Sequence, residues 1–144
     1  IGQEKFDAFY KDYAASWAFK HPMPWDFFAM FSEAAGTDMD WFWQPWFYGE
    51  ATLDQAVDEV VPGAGSADIT VSNLSSGVMP VEMKLEYADG SSETVVWPAS
   101  VWASTRTTTN AVATSGELTK VTIDADGNYP DLDRSNNEWE AVEG

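Results

Sequence analysis

The chain has 144 residues, no cysteine and a formal net charge of −17 at pH 7. This length corresponds to one ordinary domain or two small ones, and a chain without thiols can form no disulfide and carry out no thiolate chemistry. The negative charge would repel nucleic acid and anionic membranes. No apolar stretch of 18 residues is present, so no insertion into a membrane is predicted.

The aromatic side chains are distributed unevenly. Residues 1–48 contain 16 of the 21 aromatic residues, and the remaining 96 residues contain five. Each aromatic side chain can bury roughly 150–250 Å² in a core. Sixteen of them would therefore need to bury roughly 3,000 Å², which is more than three short helices can cover by themselves. We therefore expect part of this aromatic surface to face the sheet region, polypeptide upstream of residue 1, or another copy of the chain through self-association.

The spacing of these aromatic residues predicts three helices, over residues 3–20, 25–35 and 37–48. Gly36 is a natural residue to end the second helix. In the third, Thr37 is expected to be the N-cap, and large rings on several sides predict that the helix is buried. Pro45 predicts a kink or an early end near Gln44, because a proline inside a helix costs roughly 3 kcal/mol.

From residue 52 the apolar residues alternate with polar ones, which is typical of strands. The clearest alternation contains Val81, Met83, Leu85 and Tyr87, and Asp89-Gly90 predicts a tight hairpin after it. Six or seven short strands predict an antiparallel, immunoglobulin-like β-sandwich. The fold class is therefore α+β, with a helical segment over residues 1–48 and a sandwich domain over residues 49–144.

Three finer expectations concern the sandwich. Leu53, Val57 and Val61 could share one face of an imperfect first strand, and a helical turn over residues 54–61 is the alternative. Val101 and Trp102 are predicted to begin a strand. Leu118 to Asp124 is predicted to be the last strand, followed by an irregular tail in which Trp139 is an anchor.

Catalytic chemistry is hard to build from this composition. His21 is the only histidine, so a His-Glu-x-x-His zinc site is impossible, and any nucleophile–histidine pair would have to use this residue. The position of His21 between a helix end and Pro22 favours capping of the preceding carbonyl groups. No catalytic or cofactor-binding residue is therefore assigned.

One acidic stretch after the last predicted strand has the composition of a metal-binding loop. Alternating carboxylate and amide oxygens beside Gly127 are the ligands that Ca²⁺ prefers. The EF-hand pattern fails, because its twelfth position is Ser135, and an Asx-rich structural turn is the competing interpretation. The candidate calcium ligands are Asp124, Asp126, Asn128, Asp131 and Asp133.

Two groups of motifs resemble a known family. The helical segment is similar to the end of the helical part of the membrane alanyl aminopeptidases, which are zinc enzymes also called gluzincin aminopeptidases. The later motifs resemble the C-terminal end of a bacterial branch of that family. The residues that carry the resemblance are Trp17-Ala-Phe19-Lys20-His21-Pro22, Asp26-Phe27-Phe28, Gly36-Thr-Asp38-Met-Asp40-Trp41-Phe42-Trp43, Trp46-Phe47, Tyr87-Ala-Asp89-Gly90 and Pro130-Asp131-Leu-Asp133-Arg134-Ser-Asn136-Asn137-x-Trp139.

The resemblance implies that the catalytic residues and the supporting domain lie in different parts of one polypeptide. In that family the zinc ligands, the glutamates that bind the substrate amine and the transition-state tyrosine would all lie upstream of residue 1. The present chain would then be a non-catalytic C-terminal part that supports a catalytic domain of the same polypeptide, and zinc would belong to the parent protein.

Two alternatives remain open from the sequence. The sandwich could be a binding module for a polypeptide or glycan, with Trp97 and Trp102 lining the site if they are exposed. It could also be a calcium-stabilised interaction domain. The acidity and the resemblance favour a periplasmic or extracellular location, and the first residue, Ile1, suggests a fragment of a longer polypeptide.

Overall fold

The structure, a computed structural model, describes residues 1–142. It contains two compact units, a helical unit of residues Ile1–Tyr48 and a β-sandwich that begins at Gly49. The helical unit has three short helices, and the sandwich has seven antiparallel strands in two sheets. The predicted α+β class, with helices followed by an immunoglobulin-like sandwich, is confirmed.

The first two helices are α1, Gln3–Trp17, and α2, Pro24–Ala35. Helix α1 ends three residues before the predicted end, because Ala18 is extended and Phe19 has a positive φ of 60°. In α2, the Asp26 carboxylate accepts a hydrogen bond from the N–H of Met23, which caps the N-terminus. Gly36 ends α2 in the left-handed conformation, as predicted, with φ of 75°.

The third helix is shorter than predicted and changes its pitch. Helix α3 covers Asp40–Trp43, and a π-helical turn follows over Gln44–Tyr48. The change near Gln44 agrees with the prediction, because Pro45 has no N–H to donate and its ring would clash with the carbonyl one turn earlier. The expected N-cap was wrong. The N–H of Thr37 bonds back to the Ser32 carbonyl, and the Asp38 carboxylate accepts from the N–H of Asp40 at the start of α3.

The core of the helical unit consists of aromatic rings. Phe9, Phe28, Phe31 and Trp43 are buried, with 3–9% of their surface exposed. Phe28 stacks on Trp43 at a centroid distance of 4.5 Å, and Phe9 meets Phe31 edge to face at 5.1 Å. These offset and edge-on geometries are the ones that aromatic quadrupoles favour.

The sandwich consists of a three-stranded and a four-stranded sheet. In the first sheet β2 lies between β1 and β5, and in the second the order is β4-β3-β6-β7. The polar strand β5 is at a sheet edge, where polar side chains are favourable. The strands are β1 Gln55–Pro62, β2 Ser66–Asn73, β3 Val81–Tyr87, β4 Ser92–Trp97, β5 Thr107–Ala113, β6 Leu118–Ile123 and β7 Glu138–Glu140.

The inward faces of β2, β3 and β6 form the core of the sandwich. The four alternating residues predicted for β3, from Val81 to Tyr87, are all buried at 0–4% exposure. Ile69 and Val71 of β2 and Val121 and Ile123 of β6 are equally buried. The hairpin between β3 and β4 turns at Gly90, which has a positive φ of 84° and so occupies a conformation that glycine tolerates best.

The predicted face of β1 was wrong. Leu53, at 1% exposure, precedes the strand, Val57 is half-buried and Val61 is 52% exposed. A β-bulge between Val57 and Glu59 inserts an extra residue, so the alternation shifts and Val60 is buried instead.

Two further expectations for the sandwich were wrong. Val101 and Trp102 belong to a 3₁₀ turn, Ala99–Trp102, and not to a strand, because the N–H of Val101 bonds back to the Pro98 carbonyl. Strand β6 is not the last strand. The tail returns through residues 134–136 and adds β7 to the sheet, with Trp139 opposite Val121.

Candidate functional site

The acidic loop after β6 is organised around Asp124. This residue is 3% exposed and has a positive φ of 47°. Its carboxylate oxygens accept hydrogen bonds from the N–H groups of Asn128, at 2.8 Å, and Tyr129, at 2.9 Å. A buried carboxylate therefore closes the turn on its own backbone, which is the behaviour expected of an Asx-rich turn.

Arg134 supplies the positive charge in this loop. Its Nη2 atom lies 2.9 Å from Oδ2 of Asp124, and its guanidinium also donates to the carbonyl of Tyr129. The pKa of the Tyr129 hydroxyl is raised, first by burial and then by the negative charges of Glu82 and Asp124. The sequence interpretation missed Arg134, although it lies ten residues after Asp124 in the same motif.

Within residues 1–142, none of the other four calcium candidates pairs with Arg134. The side chains of Asp126 and Asn128 are exposed. Asp131 accepts hydrogen bonds from the N–H groups of Gln55 and Asp133, each at 3.0 Å. The pKa of Asp133 is lowered, because its carboxylate accepts hydrogen bonds from the hydroxyl and then the N–H of Ser135.

Among residues 1–142 the structure brings together no group of three or more His, Cys, Asp or Glu side chains placed to hold a metal ion. Calcium binding by the loop stays a prediction. His21 is exposed, and the expected capping hydrogen bonds from its imidazole are not found in the described residues. Within the same residues, no helix is both long and apolar enough to span a bilayer.

The two tryptophans proposed to line a binding face are inside the sandwich. Trp97 is 9% exposed and Trp102 is 5% exposed. The indole N–H of Trp102 donates to the carbonyl of Met79 at 2.9 Å, so the polar atom of this ring is satisfied internally. Neither ring presents a surface to a ligand.

The helical unit, in contrast, presents many rings to solvent. Six of its sixteen aromatic side chains are at least 40% exposed. Phe6 and Tyr10 stack on each other along α1 at a centroid distance of 6.0 Å. We call this set the exposed rings: Phe6, Tyr10, Phe19, Trp25, Phe47 and Tyr48.

A groove in the helical unit combines two of these rings with polar groups. We call it the aromatic groove, and its volume is about 340 Å³. One wall comes from α2, and the other comes from α3 and the π-helical turn. Its lining residues are Trp25, Phe28, Ala29, Ser32, Asp40, Gln44 and Tyr48.

The sequence spacing of the lining residues predicts both walls of the groove. Residues 25, 28, 29 and 32 follow the helical spacing that places them on one face of α2. Asp40, Gln44 and Tyr48 recur every four residues along α3 and the wider π-helical turn. Phe28 meets Tyr48 edge to face at 5.8 Å, and this contact positions the tyrosine ring at the groove.

Comparison of the chain with protein-family models, with curated proteins and with solved structures finds no match.

Proposed function

We propose that this chain is the non-catalytic C-terminal part of an aminopeptidase-like zinc metallopeptidase and that it supports a catalytic domain of the same polypeptide. The helical unit contacts the catalytic domain. The sandwich follows the helical unit in the sequence and supports it. The zinc ion belongs to the parent protein, and no residue of this chain ligates it.

The exposed rings are the observation that carries this proposal. Phe6 is 40% exposed, and the other five are between 56% and 105% exposed. With roughly 200 Å² per ring and about half of it in water, they leave on the order of 600 Å² of aromatic surface uncovered. Adjoining exposed rings, such as Phe6 and Tyr10, are typical of interaction sites.

The occupant is argued from the resemblance and from charge. The motifs of residues 17–47 resemble the last helices of the aminopeptidase helical region, and in that family these helices close the catalytic part of the same chain. The helical segment carries a net charge of −4, against −13 for the remaining 96 residues. The less charged unit is the better candidate for burial against another domain, because burial of unpaired charge is costly.

The sandwich fits a supporting role. Its inward faces are filled by apolar side chains such as Leu85 and Val121, both at 0% exposure. Its buried polar atoms include Gln55, whose side-chain amide donates to the carbonyls of Met79 and Pro80 at 3.2 and 3.3 Å. A well-packed apolar core of this kind stabilises the fold of a domain, as a supporting role requires.

The test is to extend the chain upstream in its own reading frame. We expect the extension to contain His-Glu-x-x-His followed by a glutamate. The extended protein should retain one zinc ion after dialysis and hydrolyse an aminoacyl-anilide, whereas the present chain should do neither. An extension without the zinc motif, or stoichiometric zinc and hydrolysis in the present chain, contradicts the proposal.

A second experiment tests the docking surface directly. Tyr10→Ser should lower the melting temperature of the extended protein and leave that of the present chain nearly unchanged, because the ring is 56% exposed in the present chain. The matched control is Asp12→Asn, a change at another exposed position of α1. Equal effects of Tyr10→Ser on both proteins would contradict docking at this surface.

The two alternatives lack such an observation. A binding module for a polypeptide or glycan would need a site other than Trp97 and Trp102, which are buried. A calcium-stabilised domain would need a cation beside Asp124, where Arg134 already lies at 2.9 Å. Both stay predictions with their own tests.

A further inference from the structure

The aromatic groove combines a buried aromatic residue with two exposed rings and three polar side chains. Phe28 is buried at 8% exposure and forms the floor, while Trp25 and Tyr48 are each 59% exposed. Ser32, Asp40 and Gln44 supply polar atoms along the same groove. A groove that combines aromatic rings with a few polar side chains is a plausible shape for a small polar ligand.

Asp40 gives the groove a negative charge without a counter-ion. Its backbone N–H bonds to the Asp38 carboxylate at 2.8 Å, but no hydrogen bond or ion pair to its own carboxylate is found among the described residues. None of the seven lining residues is basic. The groove therefore favours a cation, and the net charge of −4 on the helical segment favours one further.

The rings at the rim favour a cation for a second reason. The face of an aromatic ring is negative, so tryptophan and tyrosine attract cations that lie within about 6 Å of the ring centroid. The same unit already contains such a contact, in which Nζ of Lys20 lies 5.8 Å from the centroid of Trp17. Trp25 and Tyr48 have no comparable cation in the described part of the chain.

We propose that the aromatic groove binds the guanidinium group of an arginine side chain from the catalytic domain that covers the helical unit. This inference rests on the proposed function for the identity of the partner. Charge complementarity and the shape of the groove identify the ligand chemistry.

Guanidinium fits this groove better than an ammonium group. It is planar, it stacks on aromatic faces, and its paired N–H donors match the two oxygens of a carboxylate such as Asp40. It is also more weakly hydrated than an ammonium group, so its transfer from water to a groove with aromatic walls is less costly. The amide oxygen of Gln44 and the hydroxyl oxygen of Ser32 can accept from the donors that remain.

The test uses the present chain and a small probe. Nα-acetyl-arginine amide is titrated into ¹⁵N-labelled protein, and the indole N–H resonance of Trp25 is followed after its assignment with Trp25→Phe. Nα-acetyl-citrulline amide, which has nearly the same shape and no charge, is the matched control. We expect a saturable shift with the arginine probe, with a Kd on the order of tens of millimolar, and no saturable shift with citrulline.

Three variants sharpen the result. Asp40→Asn should weaken arginine binding about threefold, and Asp12→Asn, which removes the same charge from α1, should leave it unchanged. Gln44→Glu should strengthen binding about two- to threefold, because it adds a carboxylate to the groove and so is informative even if Asp40→Asn is unstable.

Several outcomes overturn the inference. The first is an equal chemical shift change with the citrulline probe. The second is arginine binding that is unchanged by Asp40→Asn and is not strengthened by Gln44→Glu. The third is saturable binding of a neutral sugar, such as cellobiose, in place of arginine. None of these results bears on the zinc motif upstream. The proposed function fails by the absence of that motif whatever the probe shows, so the two failures can be told apart.

Discussion

The helical unit and the sandwich treat their aromatic residues differently. In the helical unit six of sixteen rings are at least 40% exposed, whereas none of the five rings in the sandwich belongs to the exposed class. The large apolar groups that the sandwich does expose are aliphatic, such as Val96 and Leu132. The aromatic surface of the helical unit is therefore partly open to solvent, whereas that of the sandwich is largely covered.

The difference has a geometric cause. Two sheets packed face to face enclose a core about 10 Å thick, so every inward residue of β3 is covered on both sides. Three short helices have a small interior, which four buried rings already fill. Additional rings on the same helices must face outward unless another body covers them. Five predictions, from the largest expected effect to the smallest, test this contrast.

The first prediction compares two neighbours on α1. Phe9→Ala should destabilise the helical unit by about 3 kcal/mol or more, because Phe9 is 3% exposed and contacts Phe27 and Phe31 edge to face at about 5 Å. Tyr10→Ala, next to it and 56% exposed, should cost less than about 1 kcal/mol. Hydrogen exchange of the α1 and α2 amides gives both values, and equal costs would break the contrast.

The second prediction applies the same comparison to the sandwich. Leu85→Ala should cost about 3 kcal/mol, because a side chain at 0% exposure leaves a cavity between the sheets. Val96→Ala, on the exposed side of β4 at 56% exposure, should change stability by no more than about 0.5 kcal/mol. Hydrogen exchange of the β3 amides at increasing urea concentrations measures the difference in unfolding free energy between the two variants.

The third prediction concerns the loop after β6. Arg134→Met should destabilise the sandwich by about 2 kcal/mol, because it leaves the carboxylate of Asp124, 2% exposed, without its charged partner. Arg106→Met is the control, because the Arg106 guanidinium donates to the Ser75 carbonyl at an exposed site and its loss should cost less than about 1 kcal/mol.

The same loop decides the calcium hypothesis. In the unmodified chain we expect no change of melting temperature when calcium or a chelator is added, because Arg134 already pairs with Asp124. A calcium-dependent rise in the unmodified chain would support the calcium-stabilised alternative and count against this account of the loop.

The fourth prediction uses pH. Burial, and then the hydrogen bond to Glu93, raise the pKa of Tyr87 above its ordinary value of 10.0. The folded state therefore holds this proton more tightly than the unfolded state, so the contribution of Tyr87 to stability is complete below pH 10 and is lost as the pH rises through the folded pKa. Tyr87→Phe should flatten the fall in unfolding free energy above pH 10.

A partial flattening is expected. The pKa of Tyr129 is also raised, and the carboxylates of Glu138 and Glu140 raise the pKa of Lys120 to about 12. Deprotonation of either group therefore also lowers the unfolding free energy at alkaline pH. Tyr129→Phe is the companion variant. An unchanged pH profile in the double variant would contradict this account.

The fifth prediction concerns association. Phe6→Ser combined with Tyr10→Ser should change the stability of the isolated chain by about 1 kcal/mol or less, and it should reduce self-association. Light scattering at several protein concentrations measures the second effect. A chain that is strictly monomeric at every concentration would contradict this prediction, because the exposed rings would then not pair with each other.

Much of the fold followed from local patterns. The alternation from Val81 to Tyr87 identified β3 and its buried face, because a strand places alternate residues on opposite sides. Gly36 and Pro45 identified where α2 ends and where the third helix changes pitch, since both act through their own backbone.

The errors came from contacts between distant residues. The bulge in β1 depends on pairing with β2, and β7 exists because β6 offers a free edge to the tail. The short sequence 138–140 has no strand pattern of its own beyond one tryptophan. Pairing with a neighbour, which local propensity does not contain, determined its structure.

By itself, the sequence determined the α+β order, the excess of aromatic residues before residue 49 and the strong negative charge, because each is a property of composition or local spacing. Only the tertiary structure decided which rings are covered, that Arg134 pairs with Asp124, and that Trp25, Asp40 and Tyr48 line one groove. The physical reason is that burial and ion pairing depend on which surfaces meet in space, and residues far apart in sequence supply those surfaces.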